Sequence, residues 1–143
     1  MDAAANPFPF PATLARDLAA VHAYWLGLRR GHNDIPFADD LKPAALAALA
    51  GGLLLIDVFE KPERFRFSLL RGDFLLAQEK ALTGKFIDEI DLPPPLGFLR
   101  AQASATVEAR APTCHRGAGA TRILLPMWGD GRVSLLLGAV HAG

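Results

Sequence analysis

The sequence has a single cysteine, Cys114, no excess of charge of either sign, and no long hydrophobic run. One thiol permits no internal disulfide, and nothing in the sequence signals an oxidising compartment. Fifteen basic side chains balance fifteen acidic ones, so the basic surface that neutralises phosphates and releases counterions is missing, and no nucleic acid is expected as partner. A near-zero charge also offers little colloidal repulsion, which eases self-association. The most apolar stretch, Leu53 to Phe59, is far too short to span a bilayer. The start carries Asp2 instead of a basic leader and is interrupted by Pro7, Pro9 and Pro11. A signal peptide is therefore not read there, and a cytoplasmic location with no membrane partner is expected.

What is present suits one globular domain. The chain has 143 residues, 51% of them apolar and 21% charged, enough to close a single core. Residues 1–12 are small and proline-rich and read as a flexible segment, apart from Phe8 and Phe10, which can tuck onto a surface. The domain proper is expected over 13–143.

Thr13 reads as the N-cap of an amphipathic helix over 13–31. Its apolar residues Leu14, Leu18, Val21, Trp25 and Leu28 are spaced four, three, four, three, a seam on one face for helix packing or a dimer. Arg29 and Arg30 suit the negative end of the helix dipole, and Gly31 suits a left-handed terminus. A loop over His32–Asp40 and a short helix from Pro43 to Ala50 follow.

Leu53–Phe59 and Arg64–Leu70 read as two strands joined by four residues. Phe65, Phe67 and Leu69 alternate with Arg64, Arg66 and Ser68. The loop length places Val58 opposite Phe65, Asp57 opposite Arg66 and Ile56 opposite Phe67. Leu53, Leu55 and Phe59 are then left on the outer face, where they need a cover. The seam of the first helix, or a partner subunit, is the expected lid.

Gly72–Ala81 looks helical, Phe86–Ile90 is a short segment, and Pro93–Pro95 lead into a longer helix over Leu96–Arg110. A short strand at Thr113–Arg116 and two longer ones at Thr121–Trp128 and Val133–Val140 complete the chain. Gly129-Asp130-Gly131-Arg132 supplies the residues of a tight hairpin. Strands at both ends with helices between them predict an α+β fold with an antiparallel sheet.

That order resembles the PAS domain family, and more specifically its proteobacterial branch of short single-domain proteins. The resemblance rests on Tyr24-Trp25 with Leu28-Arg29 and Gly31, Pro43, Leu53 to Val58 leading into Phe65-Arg66-Phe67, Gly72, Leu82-Thr83-Gly84 and Pro112. Leu124-Leu125-Pro126, Asp130-Gly131 and Leu136-Leu137-Gly138 complete it. It covers nearly all of the chain after residue 13. It implies a PAS-like five-stranded antiparallel sheet with short helices and one longer helix on the concave face. It also implies sensing of a small molecule, redox state or light, or a role in association. One departure stands out: Gly72 is followed by Asp73 and Phe74, where the family usually has a small hydroxyl residue, which implies an altered or closed pocket.

On this reading the chain is a bacterial signal-transduction domain, not an enzyme. It binds a small molecule between the long helix and the sheet, with Phe67, Phe98, Gln102, His115 and Arg122 as lining residues. Pockets of that kind are mostly apolar with a few orienting polar groups. The alternative is a ligand-free module for homodimerisation or protein interaction. In either case a homodimer is expected, and the output requires a downstream protein partner of unknown identity.

No cofactor or metal is expected. The four histidines never fall at metal-ligand spacing, and His115 is the least poor candidate for a haem ligand. Cys114 and His115 are strand neighbours and point to opposite faces, so the imidazole does not activate the thiol. The reactive-cysteine motif of flavin-binding PAS photosensors is absent, and no visible absorbance band is expected.

Overall fold

The alternating apolar segments at the two ends of the chain meet in one sheet. A computed structural model describes residues 7–46, 49, 51–72, 75–117 and 119–142. The strands are β1 (Gly52–Phe59), β2 (Arg64–Arg71), β3 (Thr113–Gly117), β4 (Ala120–Gly129) and β5 (Arg132–Ala142). They form a five-stranded antiparallel sheet in the order β2-β1-β5-β4-β3. The helices are α1 (Arg16–Gly27), α2 (Pro43–Leu46), α3 (Leu76–Leu82) and α4 (Leu99–Ala109). The fold is α+β, and among the described residues no helix is long and apolar enough to cross a membrane.

Period-two alternation divides the apolar strand residues between two faces. Leu54, Ile56, Val58, Phe65, Phe67, Leu124, Leu136 and Val140 pack with Leu82 of α3 and with Leu99 and Ala103 of α4 on the inner face. Leu53, Leu55, Ile123, Leu125, Met127, Leu137 and Ala139 pack with Leu18, Val21 and Trp25 of α1 on the outer face. The seam of α1 is thus buried within the subunit. Gly138 lies opposite both Leu54 and Leu124. A Cβ there would stand 2.9 Å from the Leu124 side chain and 3.1 Å from Leu54, so only glycine lets these leucines close over the central strand.

The β4–β5 hairpin turns on Asp130 and Gly131, both at positive φ (54° and 77°), the geometry a two-residue hairpin requires. The β1–β2 register is the expected one: Val58 opposite Phe65, Asp57 opposite Arg66, Ile56 opposite Phe67. Arg66 Nη2 donates to Asp57 Oδ2 at 2.8 Å. Beyond Ile56 the register shifts, with Leu55 opposite Leu69, so Ser68 bulges out and is exposed. The bulge corrects the placement of Leu69, which turns to the outer face while Leu70 fills the inner core. Its cause is the free side of β2, where Phe67 N–H donates to Lys85 O (2.9 Å) and Gly84 N–H donates to Phe67 O (2.7 Å).

The first helix is shorter than the 13–31 span expected. Ala15, not Thr13, is its N-cap and makes no side-chain bond. Leu14 and Leu28 lie outside the helix, half-buried against the outer core. Of its two C-terminal arginines, Arg29 Nε donates to the Leu26 carbonyl at the helix end (3.2 Å) as expected, whereas Arg30 pairs with Asp40 at 2.5 Å, and Tyr24 Oη accepts from Lys42 N–H at 3.0 Å. These contacts pull the chain off the helix axis, and Gly31 takes its left-handed conformation (φ 53°) beyond the helix end.

Two further expectations change. Residues 7–12 are not a free tail, because Phe8 is buried and its carbonyl accepts from Cys114 N–H at 3.3 Å, covering the edge of β3. Phe59 is not under α1; its ring packs on Phe86 (5.5 Å between centroids) with the Arg66 guanidinium 5.0 Å away. The expected helices over 43–50 and 72–81 appear as α2 and α3, with residues 47, 48, 50, 73 and 74 outside those described. The Asp73-Phe74 departure therefore falls outside them too.

Candidate functional site

The inner face carries a polar cluster inside an apolar core. Arg122 projects from β4 toward α4 and is 2% exposed. A buried guanidinium is expensive unless its donors are met. Its Nε donates to Gln102 Oε1 at 2.7 Å, and its Nη2 donates to the Gly97 carbonyl at 2.9 Å. Gln102 Nε2 in turn donates to Thr113 Oγ1 (3.1 Å) and to the Arg122 carbonyl (3.3 Å). Thr106 Oγ1 donates to Gln102 O at 2.8 Å and lies 2.6 Å from Thr113 Oγ1. Gln102, Thr106 and Thr113 are all fully buried. Burial lowers the Arg122 pKa to about 10, which leaves the side chain charged at neutral pH.

The sequence positions these groups through two periodicities. Gln102 and Thr106 are one helical turn apart and share a face of α4. Thr113 and His115 alternate on β3, where His115 pairs with Arg122. His115 is half-buried at the sheet edge, and burial followed by the Arg122 charge lowers its pKa. Its ring lies 5.4 Å from that of Phe98 and 6.0 Å from that of Phe8.

Phe98 corrects the expectation most sharply. It is 72% exposed, in the left-handed region at φ 62°, immediately before α4. A non-glycine residue held there stores about 1–2 kcal/mol of strain. Two open depressions lie near Phe98 and His115. One, of about 350 Å³, is lined by Pro7, Pro9, Pro11, Cys114, His115 and Arg116. The other, of about 440 Å³, includes Phe98, Leu99, Arg100 and Ser104.

Four of the five sequence-derived lining residues, Phe98, Gln102, His115 and Arg122, therefore come together at the N-terminal end of α4. Phe67 does not join them. It is fully buried in the packed core of β2, and the space between α4 and the sheet there is filled by Ile56, Phe67, Leu99 and Ala103 instead of lining a cavity. Thr106, Thr113 and Gly97 belong to the cluster and escaped the sequence reading, although the Gln102–Thr106 spacing already carried the signal.

The Arg122 donors described are met inside the protein, so an acceptor-rich group such as a carboxylate reaches them only by displacing Gln102 or Gly97. The Cys114 thiol does not face the cluster. Cys114 pairs with Ile123 on the opposite face, and burial raises its thiol pKa, keeping it protonated. Among the described residues no three His, Cys, Asp or Glu side chains gather to hold a metal ion. No family model, curated protein or solved structure matches this chain.

Proposed function

We propose that the chain is a PAS-like, non-catalytic regulatory domain that senses a small molecule carrying an acceptor group at the Phe98–His115–Arg122 corner. The five-stranded antiparallel sheet with α3 and α4 on one face supports the PAS-like reading. The observation that carries the sensing role is the buried guanidinium of Arg122 tied to Gly97, directly before the strained, exposed Phe98. Strain of this kind persists where the surroundings over-determine it, and it concentrates at ligand clamps and switch regions. A ligand that takes over the Arg122 donors releases Gly97, lets Phe98 relax, and moves the start of α4. The location is cytoplasmic on this reading, and the output passes to another protein.

A second reading, a ligand-free module for homodimerisation or protein interaction, is favoured by the filled space around Phe67. Since α1 spends its seam within the subunit, such a dimer uses another surface. Native mass spectrometry of the gently purified protein separates the two. Sensing predicts a small-molecule adduct that is lost in Arg122→Met. A bare subunit or bare dimer, with no metabolite raising the melting temperature in a thermal-shift screen, overturns it.

A further inference from the structure

At the opposite end of α4 lies a groove that the reading above does not use. It has a volume of about 350 Å³ and is lined by Asn33, Asp34, Ile35, Phe37, Arg110 and Trp128. That volume sits at the small end of the roughly 300–1,000 Å³ typical of small-molecule sites, room for one compact ligand. The groove is built, not incidental. Trp128 N–H donates to Pro36 O at 2.8 Å and Phe37 bridges Trp128, which fixes the 33–37 segment along the end of β4. Arg110 caps α4 in the left-handed conformation (φ 53°), its N–H donating to Thr106 O at 2.9 Å. Its guanidinium carbon stands 5.5 Å from the centre of the Trp128 ring.

The charges on this rim are of both signs and are not spent on each other. Arg30, the neighbouring cation, is tied to Asp40. Asp34 and Arg110 are both exposed, and among the described residues neither forms an ion pair or a side-chain hydrogen bond. Ile35, Phe37 and Trp128 are thus flanked by a carboxylate without a cationic partner and by a guanidinium that stands over Trp128 without an anionic one.

We infer that this groove binds a free α-amino acid with an apolar side chain. Its carboxylate meets the Arg110 fork in a bidentate pair, its ammonium meets Asp34, and its side chain covers Trp128. A simple amine or acid satisfies one charge only, and a residue inside a peptide carries neither. The ligand class follows from the rim and floor alone and is independent of the Arg122 cluster.

The test titrates the full chain with L-leucine, isopentylamine and 4-methylpentanoate, followed by amide shifts in heteronuclear NMR and by Trp128 emission. L-leucine should give saturable shifts confined to residues near 33–37, 110 and 128. Each single-charge analogue should bind at least about tenfold more weakly, roughly the loss of one charge-assisted contact. Arg110→Gln and Asp34→Asn should each weaken L-leucine by a similar factor; Asp34→Asn should leave the melting temperature unchanged, and Arg110→Gln should lower it only slightly, by loss of the contact with Trp128. Equal affinity for the amine or the acid, or no shift with L-leucine up to about 10 mM, overturns the inference. Shifts centred on Phe98 and His115 instead would overturn it and point to the Arg122 corner.

Discussion

On the outer face of the sheet, α1 lays Leu18, Val21 and Trp25 over Leu53, Leu55, Leu125 and Leu137, with Trp25 Nε1 donating to the Pro126 carbonyl at 2.9 Å. On the inner face, α4 brings Gln102 and Thr106 against Arg122 and Thr113, which are the buried polar side chains among the described residues. The two helices are similar in length, at 12 and 11 residues, and each closes one side of the same sheet. Their chemistry differs because apolar burial is non-directional, whereas a buried polar network fixes one geometry and penalises every other. The outer face serves as a lid. The inner face carries groups whose arrangement is costly to disturb, and on the sensing role proposed above it is there that a bound molecule would shift a helix.

The sharpest way to break this contrast is to remove the anchor of the lid. Trp25 is 3% exposed in the middle of the outer cluster. Trp25→Ala should lower stability by about 3–5 kcal/mol, the range for emptying a packed tryptophan site. Because the seam is satisfied within the subunit, the native mass should not change. A melt within error of the parent would mean that α1 is a loosely attached arm, and loss of a dimer would mean that it packs between subunits.

The inner face should fail differently. Gln102→Leu removes the buried acceptor of Arg122 Nε, while the Thr113 hydroxyl keeps its contact with Thr106, and should cost about 2–3 kcal/mol in urea melts. Adding Arg122→Met should recover part of that loss, because replacing both partners by apolar groups removes the unmet donor. Apolar contacts that act independently would make the two losses add. Strict additivity would therefore dissolve the distinction between the faces.

How much of this contrast was legible follows from the same physics. The lid was readable because Leu53, Leu55 and the helical seam are two unmatched apolar surfaces, and hydrophobic periodicity survives without structural detail. The Asp57–Arg66 pair was readable because loop length and alternation fix the register, and near the surface it contributes no more than about 1 kcal/mol. The bulge at Ser68 was not readable, since it depends on Lys85 and Gly84 bonding to Phe67 from a distant segment. The short α1 was not readable either, since Arg30 meets Asp40 only in three dimensions. At the site, residue type pointed to Gln102, His115 and Arg122, while nothing local marked the αL geometry of Phe98, which follows a Gly97 carbonyl that accepts from the distant Arg122.

That geometry yields a smaller prediction. Phe98→Ala removes a ring that is mostly solvated and should cost no more than about 1 kcal/mol. Phe98→Gly loses the same ring but relieves the left-handed strain, so it should be more stable than Phe98→Ala by about 1 kcal/mol. Equal melts for the two variants would show that the backbone there is not held against its preference, and the switch argument would lose its basis.

The smallest effect separates the faces by pH, because each has one half-buried histidine whose pKa is lowered. His22 stacks on Trp25 beside the lid, and burial, then the Arg29 charge, lower its pKa. His115 stands beside the polar cluster, and burial, then the Arg122 charge, lower its pKa. A folded state that resists protonating a histidine loses ground once the unfolded chain takes up that proton. Both residues therefore contribute stability that is fully present above their ordinary pKa of 6.5 and declines as pH falls through it. His22→Gln and His115→Gln should each melt with a shallower decline between about pH 7.5 and pH 5.5 than the parent. The Arg122→Met background distinguishes them. Removing that guanidinium deletes one cause of the His115 shift, so His115→Gln should flatten the decline less there, while the effect of His22→Gln should be the same in both backgrounds. If Arg122→Met altered the two histidines equally, the inner cluster and the outer lid would be coupled through the sheet, and treating the two faces as separate layers would be wrong.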